Sequence, residues 1–373
     1  MSYNPSFQIT SETIKHLGRI EASREILEGL DIPLSLGKIF RQEASAKMTH
    51  YSTKIEGNRL TLKQTKELLS GVDVVAREKD KREVMNYYKC LEFILKISQS
   101  KQPITEKLIK KMHAIIQKGI VQGKLRGEYR EAQNAIYDVK TRKAVYLPPE
   151  AKDIGPLMRS FVGWLNQESG LHPVLKAGIG HYQLVTLHPF MDGNGRTARA
   201  LVTLLLYREK YDLKQFYSLE EYYAEDLKGY YDTLHQCQGF NYYDHPNPDI
   251  TPWIDYFAKG VAVIFEELKE KVLTSLSKHL PQRSKRELEL LQAIGPREKR
   301  ILHFFRHHLQ LRTKQLSTLF HIKDRTARNL LTQWIEKGFI LKQGSGKRNA
   351  YYILSDDYRQ LIGDFKETTV LKI

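Results

Sequence analysis

Along residues 1–280, apolar side chains return every three or four positions in stretch after stretch, as in TSETIKHLGRIEASREILEGL and SLGKIFRQEASAKMTHYSTKIEGN. No other property of the chain limits its fold so strongly, because that period collects apolar groups on one side of a helix and on neither face of a strand. The fold class it predicts is mainly α. One segment breaks the habit. GEYREAQNAIYDVKTRKAVYLPP, residues 127–149, reads as two short β-prone runs around a polar turn, hence a hairpin rising from a helical body. The chain has no internal repeat and no low-complexity tract.

Charge separates a second unit. Residues 281–350 hold 16 Lys and Arg against 5 Asp and Glu, a net of +11, whereas the whole 373-residue chain carries +16. A Gly-Pro pair near 295 interrupts the helical pattern there, so a boundary is expected within 281–296. Beyond it come REKRILHFFRHH, LRTKQLSTLF, a turn at 321–323, DRTARNLLTQWIEKG, and the β-prone runs FILKQ and AYYIL around GSGKRN. Helix, turn, helix and hairpin in that order predict a winged helix-turn-helix. Arg325, Thr326, Arg328 and Asn329 would occupy the exposed early turns of its reading helix, and Lys347 and Arg348 on the wing could touch phosphates. DNA contact and protein docking both stay open for this unit, and so does a homodimer.

Several classes are set aside. No eighteen apolar residues follow one another, and the start lacks a basic segment before an apolar run, so neither a membrane span nor a secretion signal is expected. The two cysteines, Cys90 and Cys237, are far apart and lack metal-ligand spacing. A cytoplasmic protein without a disulfide framework fits best. A zinc site built from His181, His188 and Asp192 is rejected, since zinc-binding helices place their histidines four apart rather than seven.

The chemistry is concentrated in LVTLHPFMDGNGRTARALVTLLLYREK. Proline disfavours helical geometry in the residue before it, so His188 should sit where a helix turns into a loop and be exposed to a ligand. Gly193 and Gly195 allow a tight loop that feeds a helix N-terminus, where free N–H groups attract an anion. Arg196 and Arg199, three apart in the first turn, put two guanidinium groups on one face, which suits a polyphosphate. Asp192 stands just before the glycines, placed to hold a magnesium ion that bridges phosphates.

The string His188, Pro189, Phe190, Asp192, Gly193, Asn194, Gly195, Arg196, Arg199 resembles the Fic family signature HPFx[DE]GNGRxxR at every fixed position. The resemblance implies a Fic helical fold with a β-hairpin flap, and a protein adenylyltransferase that moves AMP from ATP to a Tyr, Thr or Ser hydroxyl of a target protein or of itself. It assigns the general base to His188 and Mg²⁺ to Asp192. The phosphates fall to Gly193, Asn194, Gly195, Arg196 and Arg199, with the Asn194 side chain included in the cradle. The flap would align the protein target with its tip near 138–144. Tyr230 and Tyr231 are candidates to pack on the adenine, with plain core packing as the alternative.

Near the N-terminus, STKIEGN reads on its own as a helix stopping at glycine. Beside such a core it resembles the family's inhibitory motif [S/T]xxxE[G/N]N, matched at Ser52, Glu56, Gly57 and Asn58. The resemblance implies that Glu56 pairs with Arg199 and leaves ATP in an unproductive pose. The expected organisation is a helical region at 1–110 with this motif at 52–58, a Fic core at 111–262 and linking helices at 263–295. A winged helix-turn-helix at 296–356 and a tail at 357–373 complete it. Two other readings stay open: a DNA-binding regulator whose Fic part senses nucleotide, and an enzyme that also removes AMP. Transfer of a different phosphate-containing group is a third.

Overall fold

The computed structural model describes residues 3–100, 102–137, 142–167, 170–245, 247–279, 289–291, 293–306, 308–344, 350–359 and 361. Part of the expected flap tip, 138–141, lies outside them, as do Lys347, Arg348 and residues 362–373. The chain divides into two compact units, Met1–Lys271 and Val272–Ile373.

The first unit is helical apart from one hairpin. Its helices are α1 (Ser11–Gly29), α2 (Leu34–Ile55), α3 (Leu62–Leu69), α4 (Glu78–Ser98), α5 (Glu106–Ile116), α6 (Ala151–Leu165), α7 (Pro173–Leu187), α8 (Asn194–Arg208), α9 (Leu219–Glu225), α10 (Leu227–Gln238) and α11 (Thr251–His279). At the centre lies α7, buried at 13 of its 15 positions. A helix apolar on all sides has to be wrapped by others, and α8 packs along it in antiparallel fashion. Small residues let the partners approach. A Cβ on Gly178 would stand 2.9 Å from the Phe257 ring, and the Gly178 carbonyl accepts from Trp253 Nε1 at 2.8 Å.

The hairpin appears within 127–149, as the two β-prone runs around a polar turn predict. Strands β1 (Ile136–Tyr137) and β2 (Ala144–Tyr146) are antiparallel, with Ile136 opposite Tyr146, Tyr137 opposite Ala144 and a register irregularity between the two pairs. Tyr146 anchors its inner end, buried, with its hydroxyl donating to the Thr186 carbonyl at 3.0 Å.

The second unit has its own core. Helices α12 (Pro296–Phe305), α13 (Thr313–Phe320) and α14 (Asp324–Glu336) precede the antiparallel pair β3 (Ile340–Gln343) and β4 (Tyr351–Leu354). Ile301, Phe305, Leu316, Ala327, Leu331, Trp334 and Ile340 are packed together. His321, in the left-handed region at φ 53°, closes α13 before the short turn to α14. Arg325, Thr326, Arg328 and Asn329 lie exposed on α14. Among the described residues, no helix is long and apolar enough to cross a membrane.

Candidate active site

His188 caps α7 in the left-handed conformation, φ 47° and ψ 54°, its N–H donating to the Leu184 carbonyl at 3.1 Å. That geometry costs a residue with a Cβ about 1–2 kcal/mol, so the surroundings must enforce it. Arg130 does so. Its side chain, 2% exposed, donates from Nε to the His188 carbonyl at 3.0 Å, from Nη1 to the Ala132 carbonyl at 3.1 Å and from Nη2 to the Pro149 carbonyl. Its backbone N–H adds a bond to the Pro189 carbonyl at 2.9 Å. One guanidinium thus ties the histidine corner to both ends of the hairpin segment.

The imidazole is poised by its other contacts. Nδ1 lies 3.2 Å from the Val185 carbonyl, which can only accept, so Nδ1 carries the proton and Nε2 keeps its lone pair. Burial pushes the pKa down to about 4, outweighing the upward pull of the Val185 carbonyl and of Glu56. The ring is therefore neutral at pH 7 and able to take a proton.

Gly193, at φ 81°, is the N-cap of α8. Its N–H donates to Asp192 Oδ1 at 2.6 Å, and the Gln117 amide, with its oxygen turned toward these donors, accepts from it at 3.1 Å and from Arg196 Nη2 at 3.2 Å. His113 supports the loop from behind. Its Nδ1 accepts from Gly127 N–H at 3.0 Å, so Nε2 donates to the Asp192 carbonyl at 2.9 Å, and the ring stacks on Phe190 with centroids 3.8 Å apart. Burial lowers its pKa to about 4 as well, which keeps this relay neutral.

The Asn194 side chain is committed within the turn. Its Oδ1 accepts from Phe190 N–H at 2.9 Å and its Nδ2 donates to the Phe190 carbonyl at 2.7 Å. In this arrangement the side chain holds the loop closed, with the second N–H of Nδ2 left over from these two bonds. The Asp192 carboxylate is 48% exposed, with Oδ1 also 3.3 Å from Arg196 Nη2. Among the described residues no cluster of three or more His, Cys, Asp or Glu forms a metal cage. A lone carboxylate beside an anion-binding loop still fits Mg²⁺, which commonly takes one or two protein carboxylates and fills its shell with phosphate oxygens and water.

Arg199 is almost wholly buried, and its Nε and Nη2 are engaged. It donates from Nε to Ser52 Oγ at 2.9 Å, and from Nη2 to the Ser52 carbonyl at 2.8 Å and to Glu56 Oε1 at 2.8 Å. Burial works to raise the Glu56 pKa, but Arg199 and then Arg196 outweigh it and hold the carboxyl below its ordinary value. Local structure delivers Glu56 to this spot. Gly57, at φ 87°, follows the last turn of α2, its N–H donating to Lys54 O at 2.9 Å while Asn58 N–H donates to Thr53 O at 3.1 Å. That pair of bonds is a Schellman ending, as the glycine stop predicts. Gly195 leaves room on the facing side, since a Cβ there would stand 2.4 Å from Glu56 Oε1 and push the carboxylate aside.

The two tyrosines part company. Tyr230 is 2% exposed and gives its hydroxyl to a 3.1 Å contact with His181 Nε2, among the rings of Tyr223 and Trp253. Tyr231 is 37% exposed and lies against Tyr230 and His235. Arg130, His113, Gln117 and Glu83 belong to the site's framework and are not among the residues the sequence points to. The only sequence signal for them is the GEYR string that puts Arg130 just after Gly127.

Comparison with known proteins gives a consistent result. Residues 103–206 match the model of the Fic/DOC family. A protein adenylyltransferase Fic of Drosophila willistoni is 34% identical over 201 residues, covering 53% of this chain and 39% of that protein. The chain thus spans about two fifths of that relative's length. Among solved structures, a Fic domain containing signaling protein from Bacteroides thetaiotaomicron is 27% identical, with a TM-score of 0.59 over 70% of this chain and 97% of that one. A Fic family protein from Desulfovibrio desulfuricans, 22% identical, shares the fold over 95% of this chain and 99% of its own, with a TM-score of 0.60.

Proposed function

We propose, from the match of residues 103–206 to the Fic/DOC family, that this chain is an adenylyltransferase, which moves AMP from ATP to a hydroxyl of a target protein or of itself and releases pyrophosphate. The observation that carries the reading is the neutral His188, with Nε2 unprotonated, at the mouth of a glycine loop backed by Arg196 and Arg199.

In the proposed reaction the target hydroxyl attacks the α-phosphorus and its proton passes to His188 Nε2. The new bond joins the hydroxyl oxygen to the α-phosphorus, and the bond from the α-phosphorus to the bridging oxygen breaks. Arg199, once free of Glu56, is the group available to a terminal phosphate, and N–H groups at the start of α8 meet the rest of the chain of phosphates. Mg²⁺ held by Asp192 would offset charge on the phosphates when bound. The hairpin β1–β2 offers a short strand edge beside His188, the kind of edge that pairs with an extended target segment.

The reading includes autoinhibition. Glu56 occupies the guanidinium that the nucleotide would need, so resting activity is low. Labelled ATP with Mg²⁺, supplied to the native chain, to Glu56→Gly and to Glu56→Gly/His188→Ala, tests both parts. Label should rise in the first variant and vanish in the second. Absence of label in all three, with ATP still bound, overturns transfer in favour of nucleotide sensing.

A separate observation supports a nucleic-acid role for the second unit. Along α14, Ala327, Leu331 and Trp334 face the core while Arg325, Thr326, Arg328 and Asn329 face outward, the division a reading helix needs. Duplex titration over a range of salt tests it, since phosphate contacts give an affinity that falls steeply with salt. Salt-independent or absent binding leaves protein docking as the use of that face.

A further inference from the structure

The end of α2 reaches a second arginine by a route that uses neither Glu56 nor Arg199. Asn58 is 7% exposed. Its Nδ2 donates to Glu83 Oε2 at 2.8 Å and to the Asp80 carbonyl at 3.0 Å, and its Oδ1 accepts from Leu60 N–H at 3.1 Å. The other oxygen of Glu83 lies 3.3 Å from Arg196 Nη1, with both side chains nearly hidden, 6% and 3% exposed. Arg196 in turn reaches Asp192 and the Gln117 amide that receives Gly193 N–H. We infer that Glu83 is a positioning residue that links the brake to the phosphate loop, with one oxygen fixing Asn58 and the other Arg196.

The chemistry at each joint supports a relay over a coincidence of packing. A buried carboxylate needs its charge answered, and here Arg196 at 3.3 Å answers it from the loop side, with Lys79 farther off at 3.9 Å on the same oxygen. Its second oxygen needs a donor, and Asn58 is the donor. If Asn58 swings out, Glu83 loses that bond and Arg196 faces a carboxylate that is less well fixed. The loop therefore meets the brake at Arg199 directly and at Arg196 both through the charge of Glu56 and, by a separate contact, through Glu83. Leu60, buried with Val74 and Val84, keeps the segment after Asn58 seated on α4.

An alternative role for Asn58 is local, as the acceptor that satisfies Leu60 N–H at the start of the next turn. The two roles give opposite forecasts for one substitution. Aspartate accepts from Leu60 N–H as well as asparagine does but loses the bond to the Asp80 carbonyl, so a purely local role confines the effect of Asn58→Asp to 56–60 and leaves 192–197 unchanged. Under the relay, the substitution sets a second carboxylate against Glu83, and the new side chain is expelled.

The labelling arm rests on the AMP-transfer reading, and hydrogen exchange provides an arm that does not. Expected are basal labelling on the order of tenfold above native for Asn58→Asp, in keeping with the size of like-charge effects, and a smaller rise for Asn58→Ala. Neither change should add to Glu56→Gly. Exchange in Asn58→Asp should quicken together at 56–60 and at 192–197. Adding Glu83→Gln, whose amide can donate to the introduced carboxylate, should restore protection at 56–60 but not at 192–197. Native labelling and native exchange in Asn58→Asp would overturn the relay, as would faster exchange confined to 56–60. Should Asn58→Asp not fold, Asn58→Ala, which spares the buried ion pair, decides by the same joint loss of protection. If Glu56→Gly takes up no label, the transfer reading fails while the exchange result still judges the relay.

Discussion

Replacing Glu56 by glutamine alters the charge that faces Arg199 and leaves the shape of the contact intact. Arg199 makes three bonds, two to Ser52 and one to Glu56 Oε1 at 2.8 Å. Only the last joins two charged groups. Hydrogen bonds involving a charged group contribute roughly 1.5–3 kcal/mol and neutral ones about 1. The Glu56 side chain is 25% exposed, so the low end of that range applies. Glutamine should then weaken the resting pose by about 0.5 kcal/mol, or roughly twofold in basal AMP transfer, since about 1.4 kcal/mol corresponds to tenfold. Glycine removes the whole contact and should give a rise on the order of 10–50-fold. Ser52 keeps Arg199 aimed in both variants. Initial rates of label incorporation at saturating ATP measure the series. A glutamine variant as quiet as the native chain, beside an active glycine variant, would refute the electrostatic account and leave steric obstruction by the side chain in its place.

Other expectations follow from the same framework. In the Glu56→Gly variant, the acid limb of kcat/KM should fall near pH 4, where burial places the His188 pKa, and not near 6.5. Native basal activity should not rise on mild acidification from pH 8 to 6, because Glu56 is held below its ordinary carboxyl range. His50, His113 and His188 are each pushed by burial to about 4. The unfolded chain takes up those protons near 6.5, so stability is full above that pH and declines as pH falls toward 4. Thermal melts at pH 5 should show a loss on the order of 1–2 kcal/mol for each histidine, and a flat profile from pH 7 to 5 would refute that account. Arg130→Gln should cut transfer about tenfold or more through the His188 corner while ATP binding, followed by calorimetry, holds.

Much of the site can be read from the sequence because it is local. The histidine corner, the glycine loop and both arginines fall within one helix-loop-helix, so spacing alone puts them together. The Schellman end of α2 is legible for the same reason. The pairing of Glu56 with Arg199 is not derivable from spacing, and comes only through resemblance. Arg130, His113, Gln117 and Glu83 give no such signal because each acts across elements distant in sequence, where a polar residue looks like any solvated one. Tyr230 and Tyr231 show a local signal that separates them. Tyr230, Leu234 and Cys237 form a helical stripe and are buried together on α10, and consecutive helical residues diverge by about 100°. The pattern therefore separates their burial, while both phenols still feel the charges of Glu56 and Arg199.

The ion pair between Glu56 and Arg199 closes over 143 residues, with its acidic half first. Synthesis at roughly 5–20 residues per second means that Glu56 joins the chain about 7–30 s before Arg199 does. The α2 helix is thus already on hand when the phosphate loop takes shape, and the nascent chain has no stage at which Arg199 exists and its glutamate does not. A circular permutant that moved α2 behind α8 would reverse that order, leaving the loop to emerge first with its arginine unguarded.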